Sequence, residues 1–93
     1  MKPYTDDALK GRSVLFFCGP WCQPCKQMEA PLERAEYSQG VPVYKVDVSA
    51  MPDVAGRYRV NNVPTLLILQ DGAVTKQRTG SMVPSALLAW MAA

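Results

Sequence analysis

The chain has 93 residues, of which 48% are hydrophobic and 19% are charged, and its formal net charge is +2. This length predicts a single domain over residues 1–93, and the small charge excess argues against nucleic-acid and membrane partners. Three cysteines without any histidine exclude a zinc site of four Cys/His ligands within one chain, and we expect no metal.

The N-terminal residues 1–7 lack the apolar stretch of a signal peptide. No other segment approaches the roughly 20 apolar residues that cross a bilayer. We therefore expect a cytoplasmic protein. In that reducing compartment, two cysteines close together in the sequence are more often catalytic or metal-binding than structural.

Strands and helices alternate along the first half of the chain. Thr5 caps a short helix that ends at Gly11, and the apolar run 14–18 is typical of a strand buried on both faces. The next helix begins within residues 22–24 and ends at Gly40. Its apolar stripe consists of Cys25, Met28, Leu32 and Ala35. Its other faces carry Lys26, Gln27, Glu29, Glu33 and Glu36.

The second half predicts three strands and two helices, and its last two strands form a hairpin. These elements are a strand over 41–48, a short helix from Pro52, a buried strand over 65–69, an edge strand over 74–79 and a helix over 84–91. Asp71 and Gly72 form the hairpin turn. The last helix has its buried face at Ala86, Leu87, Trp90 and Met91. The order β-α-β-α-β-β-α, after a short first helix, indicates an α/β fold.

Cys22 and Cys25 are separated by two residues at the predicted start of a helix. The unpaired N–H groups and the positive end of the helix dipole favour a thiolate at Cys22, and the thiolate is the form that attacks disulfides. Cys25 lies one turn further along, on the apolar stripe, so we expect it to be less exposed. Cys22 would then attack a substrate disulfide, and Cys25 would resolve the mixed disulfide. The alternative is a structural turn pair, or half of a zinc site shared between chains.

Two segments of the chain resemble the thioredoxin family. Residues 17–26, FCGPWCQPCK, resemble the strand end, active-site loop and helix start of that family. Residues 60–66, VNNVPTL, resemble the segment that carries its cis-proline, and Gly80 resembles the glycine after its last strand. The resemblance implies a thioredoxin fold, with a central mixed sheet of four to five strands flanked by helices and a first strand that is short or missing.

The resemblance also implies roles for the residues around the cysteine pair. Pro64 would follow a cis peptide bond and face the cysteines, and the Val63 backbone would pair with an extended substrate segment. An ordinary trans proline at a strand entry is the alternative for Pro64. The substrate groove would be lined by Trp21, Val63, Pro64 and Gly80. The ionisation and potential of the pair would be tuned by Gln23, Pro24 and Lys45, although the strand pattern equally allows a Lys45 that only reaches solvent.

Four positions depart from the family pattern, and one of them is Pro31, which follows Cys25 by one residue more than is typical. Phe16 stands where thioredoxins usually carry a buried aspartate, the group usually credited with proton transfer at the resolving cysteine. Cys18 stands where an aromatic residue is usual, and we expect a buried, inert thiol, with a third redox role as the alternative. Gln23 replaces the usual glycine, so the reduction potential need not match that of other members.

The predicted function is reduction of protein disulfides through a Cys22/Cys25 dithiol–disulfide cycle, carried out by a monomer without a bound cofactor. A thioredoxin reductase or an equivalent dithiol donor would recycle the oxidised form. The alternatives are a disulfide oxidase or isomerase, a glutaredoxin-like enzyme that depends on glutathione, and a thioredoxin-fold binding subunit of a larger complex.

Overall fold

The computed structural model describes residues 1–92, which form strands and helices in the predicted alternation. The elements are β1 (Lys2–Pro3), a 3₁₀ helix (Asp6–Leu9), β2 (Arg12–Cys18), α1 (Gln23–Gln39), β3 (Val43–Asp47), α2 (Pro52–Arg57), β4 (Thr65–Gln70), β5 (Ala73–Thr79) and α3 (Pro84–Ala92). None of these helices is both long enough and apolar enough to cross a membrane.

The strands form one mixed sheet in the order β1-β3-β2-β4-β5. β1, β3 and β2 run parallel, whereas β4 is antiparallel to both β2 and β5. β1 has 2 residues, so the first strand is present but short, as the resemblance implied. The predicted fold class, a mixed sheet flanked by helices, is confirmed.

The two faces of the sheet are covered by different helices. We call the face under α1 and α3 the α1 face, and the face under α2 and the 3₁₀ helix the α2 face. Successive side chains of a strand point to opposite faces, so β2 supplies both. Val14, Phe16 and Cys18 pack on the α1 face, and Leu15 and Phe17 pack on the α2 face. All five are buried, which confirms that the apolar run 14–18 is a strand covered on both sides.

Helix α1 has the predicted start, stripe and end. Cys22 is its N-cap residue, and Gly40 ends it in the left-handed conformation with φ 65°. Glycine suits that position because it has no Cβ to clash with the backbone. The four buried residues of the helix are those of the predicted stripe, namely Cys25, Met28, Leu32 and Ala35.

Three elements differ from their predicted form. The first helix is a 3₁₀ helix, although Thr5 caps it as predicted by accepting a hydrogen bond from the Asp7 N–H at 3.3 Å. β3 covers residues 43–47 rather than 41–48, because it pairs with β1 and β2 only over that shorter length. On α3, Leu87 and Met91 are buried but Ala86 is exposed. Trp90 is half-buried and packs against the apolar cluster of the α1 face, so Ala86 is the one residue of the predicted face that the structure leaves exposed.

Candidate active site

Cys22 and Cys25 lie where the loop after β2 enters α1. Cys22 has extended backbone angles, φ −91° and ψ 103°, and its Sγ accepts a hydrogen bond from the Cys25 N–H at 3.2 Å. Pro24 occupies the first turn, where its missing N–H leaves no helical hydrogen bond unmade. The two sulfurs are joined in a disulfide whose Cα atoms are 5.3 Å apart. The helix start therefore places one of its free donors directly on the Cys22 sulfur.

The two cysteines differ in exposure as the sequence predicts. Cys22 is 6% exposed and Cys25 is 1% exposed, so Cys22 lies nearer to the surface. Gln23 and Pro24, between them, are exposed on the outer side of the first turn. A sulfur that receives a backbone N–H at a helix N-terminus is stabilised as a thiolate, which favours Cys22, and Cys25 is the more buried of the two.

Trp21 is an exposed aromatic side chain immediately before Cys22, with 66% of its surface accessible. Its ring lies over Gly19, where an added Cβ would be 2.7 Å from a ring carbon. The Cys22 N–H donates to the Gly19 carbonyl at 3.1 Å, which closes the turn under the ring. The missing Cβ of Gly19 therefore lets the Trp21 ring lie close to the backbone of the loop, a role that the sequence alone did not assign to Gly19.

Val63, Pro64 and Gly80 form a second group near the end of the sheet. The Val63–Pro64 peptide bond is cis, as the resemblance implied. The Gly80 N–H donates to the Pro64 carbonyl at 2.9 Å, which joins the segment before β4 to the residue after β5. Val63 is half-buried and packs against the apolar cluster that contains both cysteines. Their role in substrate binding stays a prediction.

Lys45 points to the α1 face from β3, beside Phe16 of β2, which is its register partner. Its Nζ lies 3.0 Å from Oε2 of Glu29 on α1, and that hydrogen bond raises the pKa of Lys45. The lysine therefore has a charged partner as well as a partly exposed head. Glu29 was assigned only to the outer faces of α1, and the signal that sequence reasoning missed is its spacing of four residues from Cys25.

A cavity of about 140 Å³ lies between the end of β2, the start of α1 and the end of β3. It is lined by Cys18, Gly19, Pro20, Cys25, Lys26, Glu29, Lys45 and Asp47. The structure thus brings Lys45 and the inner cysteine of the pair to one cavity. It also brings Cys18 and two carboxylates there.

Cys18 is the third cysteine and is outside the disulfide. It is 3% exposed, and its Sγ donates to the Val46 carbonyl at 3.7 Å. Burial raises the pKa of its thiol, with Asp47 and Glu29 adding to the rise and Lys45 opposing it. A buried, protonated thiol is a poor nucleophile, which agrees with the predicted inert role.

Phe16 is fully buried at the centre of β2, between Lys45 of β3 and Leu66 of β4. Its burial confirms the sequence prediction for this position. β2 itself contains no acidic residue, so any carboxylate near the cysteine pair must come from another element.

The family model for thioredoxin matches residues 4–93 of the chain. The chain is 34% identical over 86 residues to the thioredoxin of Bacillus subtilis strain 168, which covers 90% of this chain and 83% of that protein. It is 40% identical over 80 residues to thioredoxin C-2 of Corynebacterium nephridii, covering 84% of this chain and 73% of that protein. Among solved structures, a mutant thioredoxin from Halobacterium salinarum NRC-1 aligns with a TM-score of 0.89 at 26% identity, covering 98% of this chain and 86% of that chain.

Proposed function

The chain belongs to the thioredoxin family and is a protein-disulfide reductase, and we propose that Cys22 and Cys25 divide the reaction as attacking and resolving thiols. The observation that carries this division is the hydrogen bond from the Cys25 N–H to the Cys22 sulfur at the start of α1. A thiolate at Cys22 gains from that donor and from the helix dipole.

The reaction transfers two electrons from the dithiol to the substrate. The Cys22 thiolate attacks one sulfur of a substrate disulfide, forms a mixed disulfide and releases the other substrate sulfur as a thiolate. The Cys25 thiolate then attacks the Cys22 sulfur and breaks its bond to the substrate. The products are the Cys22–Cys25 disulfide and a substrate with two thiols, once its thiolates take up protons.

We further propose that Trp21, Val63, Pro64 and Gly80 line the groove that binds the substrate. Pro64 has no N–H, so its segment offers the Val63 backbone groups to an extended peptide. The exposed Trp21 ring beside Cys22 adds an apolar contact surface. The hydrogen bond from Gly80 to Pro64 holds the segment before β4 against the residue after β5. Gln23 and Pro24, exposed between the cysteines, would set the reduction potential of the pair. Lys45 would tune the ionisation of the cysteines through the cavity that it shares with Cys25.

Thioredoxins act on protein disulfides and are recycled by reductase partners. For this chain we propose a thioredoxin reductase or an equivalent dithiol donor, a cytoplasmic location, and a monomer with one domain over residues 1–93. A reductase requires a Cys22–Cys25 potential more negative than about −220 mV, the upper end of the cytosolic glutathione range. A markedly higher potential would favour the oxidase or isomerase alternative.

Single-cysteine variants test the division of labour. We expect Cys22→Ser to abolish insulin reduction, and Cys25→Ser to attack once and accumulate mixed disulfides with an oxidised substrate protein. Mass spectrometry after incubation detects the adducts and assigns the cysteine. Adducts formed through Cys25 of the Cys22→Ser variant would overturn the assignment. Binding without any turnover by the unaltered protein would instead favour the binding-subunit alternative.

A further inference from the structure

The Cys25 thiol must lose its proton before it can attack, and its surroundings make that loss difficult. Cys25 is 1% exposed, and apolar residues of the α1 face surround it. Burial disfavours the thiolate, so a proton acceptor within reach would speed the resolving step. The residues that β2 supplies to this face are Val14, Phe16 and Cys18, and none of them is a carboxylate.

The cavity beside Cys25 contains the charged groups that face this thiol. Lys26 and Glu29 come from α1, Lys45 and Asp47 come from β3, and the uncharged Cys18 thiol comes from β2. At about 140 Å³ the cavity has room for water, which can relay a proton between groups that are not in direct contact. Only the two carboxylates of this set can accept a proton at neutral pH.

Glu29 is the better acceptor of the two. Asp47 accepts hydrogen bonds from the Ser49 N–H at 2.9 Å and the Ser49 hydroxyl at 2.6 Å, and these bonds lower the pKa of its carboxyl. Within residues 1–92, the carboxylate of Glu29 is bonded to Lys45 through Oε2, and its Oε1 accepts no hydrogen bond. Glu29 also lies one helical turn after Cys25, a spacing that brings Cβ atoms to about 5–6 Å on one face of a helix.

We propose that Glu29 accepts the proton of the Cys25 thiol through the cavity, and that Lys45 positions the Glu29 carboxylate there. This inference rests on the roles proposed above for Cys22 and Cys25. In the resolving step, the Cys25 proton passes to Glu29 by way of water, and the Cys25 thiolate attacks Cys22. The Cys22–Cys25 bond forms, the Cys22–substrate bond breaks, and the departing substrate thiolate takes a proton from solvent or from Glu29.

The test separates the two chemical steps with an aromatic disulfide, dithiobis(nitrobenzoate), in a stopped-flow experiment on the reduced protein. All variants carry Cys18→Ala, so that only two thiols react. The first coloured thiolate reports the attack by Cys22, and the second reports the resolution by Cys25. We expect Glu29→Gln to slow the second release about 100-fold at neutral pH and to leave the first unchanged. The matched control is Glu33→Gln, which removes the same charge one turn further along α1, outside this cavity.

The pH profile distinguishes proton transfer from a simple effect of charge. A carboxylate that acts only as a neighbouring negative charge disfavours the thiolate, so its removal would speed the second release. A second release that is unchanged or faster in Glu29→Gln would therefore overturn the proposal. At high pH, where Cys25 ionises unaided, we expect the variant to match the parent. A slow second release that persists there would mean that Glu29 only positions Cys25, and would also overturn the proposal. A second release from Cys25→Ser would refute the division of labour itself, whatever Glu29 does.

Discussion

The two faces of the sheet are built from the same strands but have different compositions. The α1 face combines apolar residues with all three cysteines and with the Lys45–Glu29 ion pair. The α2 face is a continuous apolar and aromatic cluster, in which the Phe17 ring packs edge-on against Tyr58 at 6.2 Å between ring centroids. The cysteines and the ion pair therefore lie on one side of the sheet, whereas the cluster on the other side serves packing.

The comparison shows how one strand can serve both purposes. On β3, Tyr44 and Val46 enter the α2 cluster, whereas Lys45 and Asp47 line the cavity beside Cys25. Because side chains alternate along a strand, a shift by one residue moves a group from the packing face to the reactive face. Substitutions at neighbouring positions should thus have similar effects on stability and different effects on the thiol chemistry.

The largest effects on the free energy of unfolding are expected from two matched substitutions on β2. These are Phe16→Asp on the α1 face and Phe17→Asp on the α2 face. Both phenylalanines are fully buried, and the loss of a large core side chain alone costs about 3–5 kcal/mol. Desolvation should raise the pKa of either new carboxyl, more so at Phe17, because Phe16 has Lys45 as its neighbour on the same face. Denaturant unfolding across pH 4 to pH 8, in steps of about one unit, measures both effects.

The sign of the pH dependence follows from the raised pKa. In the unfolded chain the new carboxyl ionises from about pH 3.9 upward, whereas in the folded state it stays protonated up to its raised pKa. Each variant therefore loses further stability as pH rises through that folded-state pKa. We expect faster resolution by Cys25 only in Phe16→Asp, where an acceptor now lies beside the cavity. Equal stability of Phe16→Asp and the unaltered protein at every pH would contradict the burial of that strand.

A smaller effect is expected from Cys18→Ala. Loss of this buried sulfur should lower the free energy of unfolding by about 1 kcal/mol at neutral pH. Burial raises the pKa of the Cys18 thiol, so its contribution is complete below the unfolded-state pKa of about 8.5 and declines as pH rises above it. The difference in free energy of unfolding between the variant and its parent should therefore shrink from about pH 8.5 toward about pH 10. This is roughly the window between the reference pKa values of cysteine and tyrosine.

This measurement needs a background of Cys22→Ser and Cys25→Ser, which prevents disulfide exchange with Cys18 in the unfolded chain. Lys45, Asp47 and Glu29, the charged groups that act on the Cys18 thiol, remain in both proteins, so the comparison changes only the Cys18 side chain. A stability difference that stays constant across this range would show that Cys18 ionises as easily in the folded state as in the unfolded chain.

Local signals in the sequence predicted most of the fold. The apolar run of β2 and the glycine end of α1 reflect backbone and burial requirements that a short window contains. The turn at Asp71 and Gly72 is another such case, with φ values of 51° and 86° that suit a two-residue hairpin. The same holds for the cysteine pair, because its chemistry depends on a helix start that the sequence itself marks.

What the sequence could not supply depends on contacts between distant elements. Glu29 is one of several polar residues on α1, and only the placement of β3 beside that helix makes it a partner of Lys45. Ala86 fits an apolar helix face, yet the structure leaves it exposed, whereas Leu87 and Met91 are buried and Trp90 is half-buried. The spacing of Glu29 from Cys25 places the two on one side of α1 but does not identify Lys45 as the partner of Glu29, and nothing within α3 marks Ala86 as exposed.

The smallest effects on the free energy of unfolding should come from alanine substitutions at two glycines, Gly56 and Gly19. One is expected to change stability and the other to change substrate binding. Gly56 lies inside α2, where an added Cβ would meet no atom within 4 Å. Gly56→Ala should therefore raise the free energy of unfolding by about 0.5–1 kcal/mol, because alanine loses less backbone entropy in a helix. Its rate of insulin reduction should stay unchanged.

Gly19→Ala should change substrate binding and leave stability nearly unchanged, because its added Cβ would lie 2.7 Å from the ring of Trp21. That ring is 66% exposed and can turn away, so we expect a stability change within about 0.5 kcal/mol. The displaced ring would no longer lie beside Cys22 in the proposed groove, so KM for a protein substrate should rise while kcat changes little. Steady-state kinetics with insulin and with a small aromatic disulfide check this, since only the protein substrate is large enough to need the ring. An unchanged KM for insulin would remove Trp21 from the substrate groove, even though Gly19 still packs beneath it.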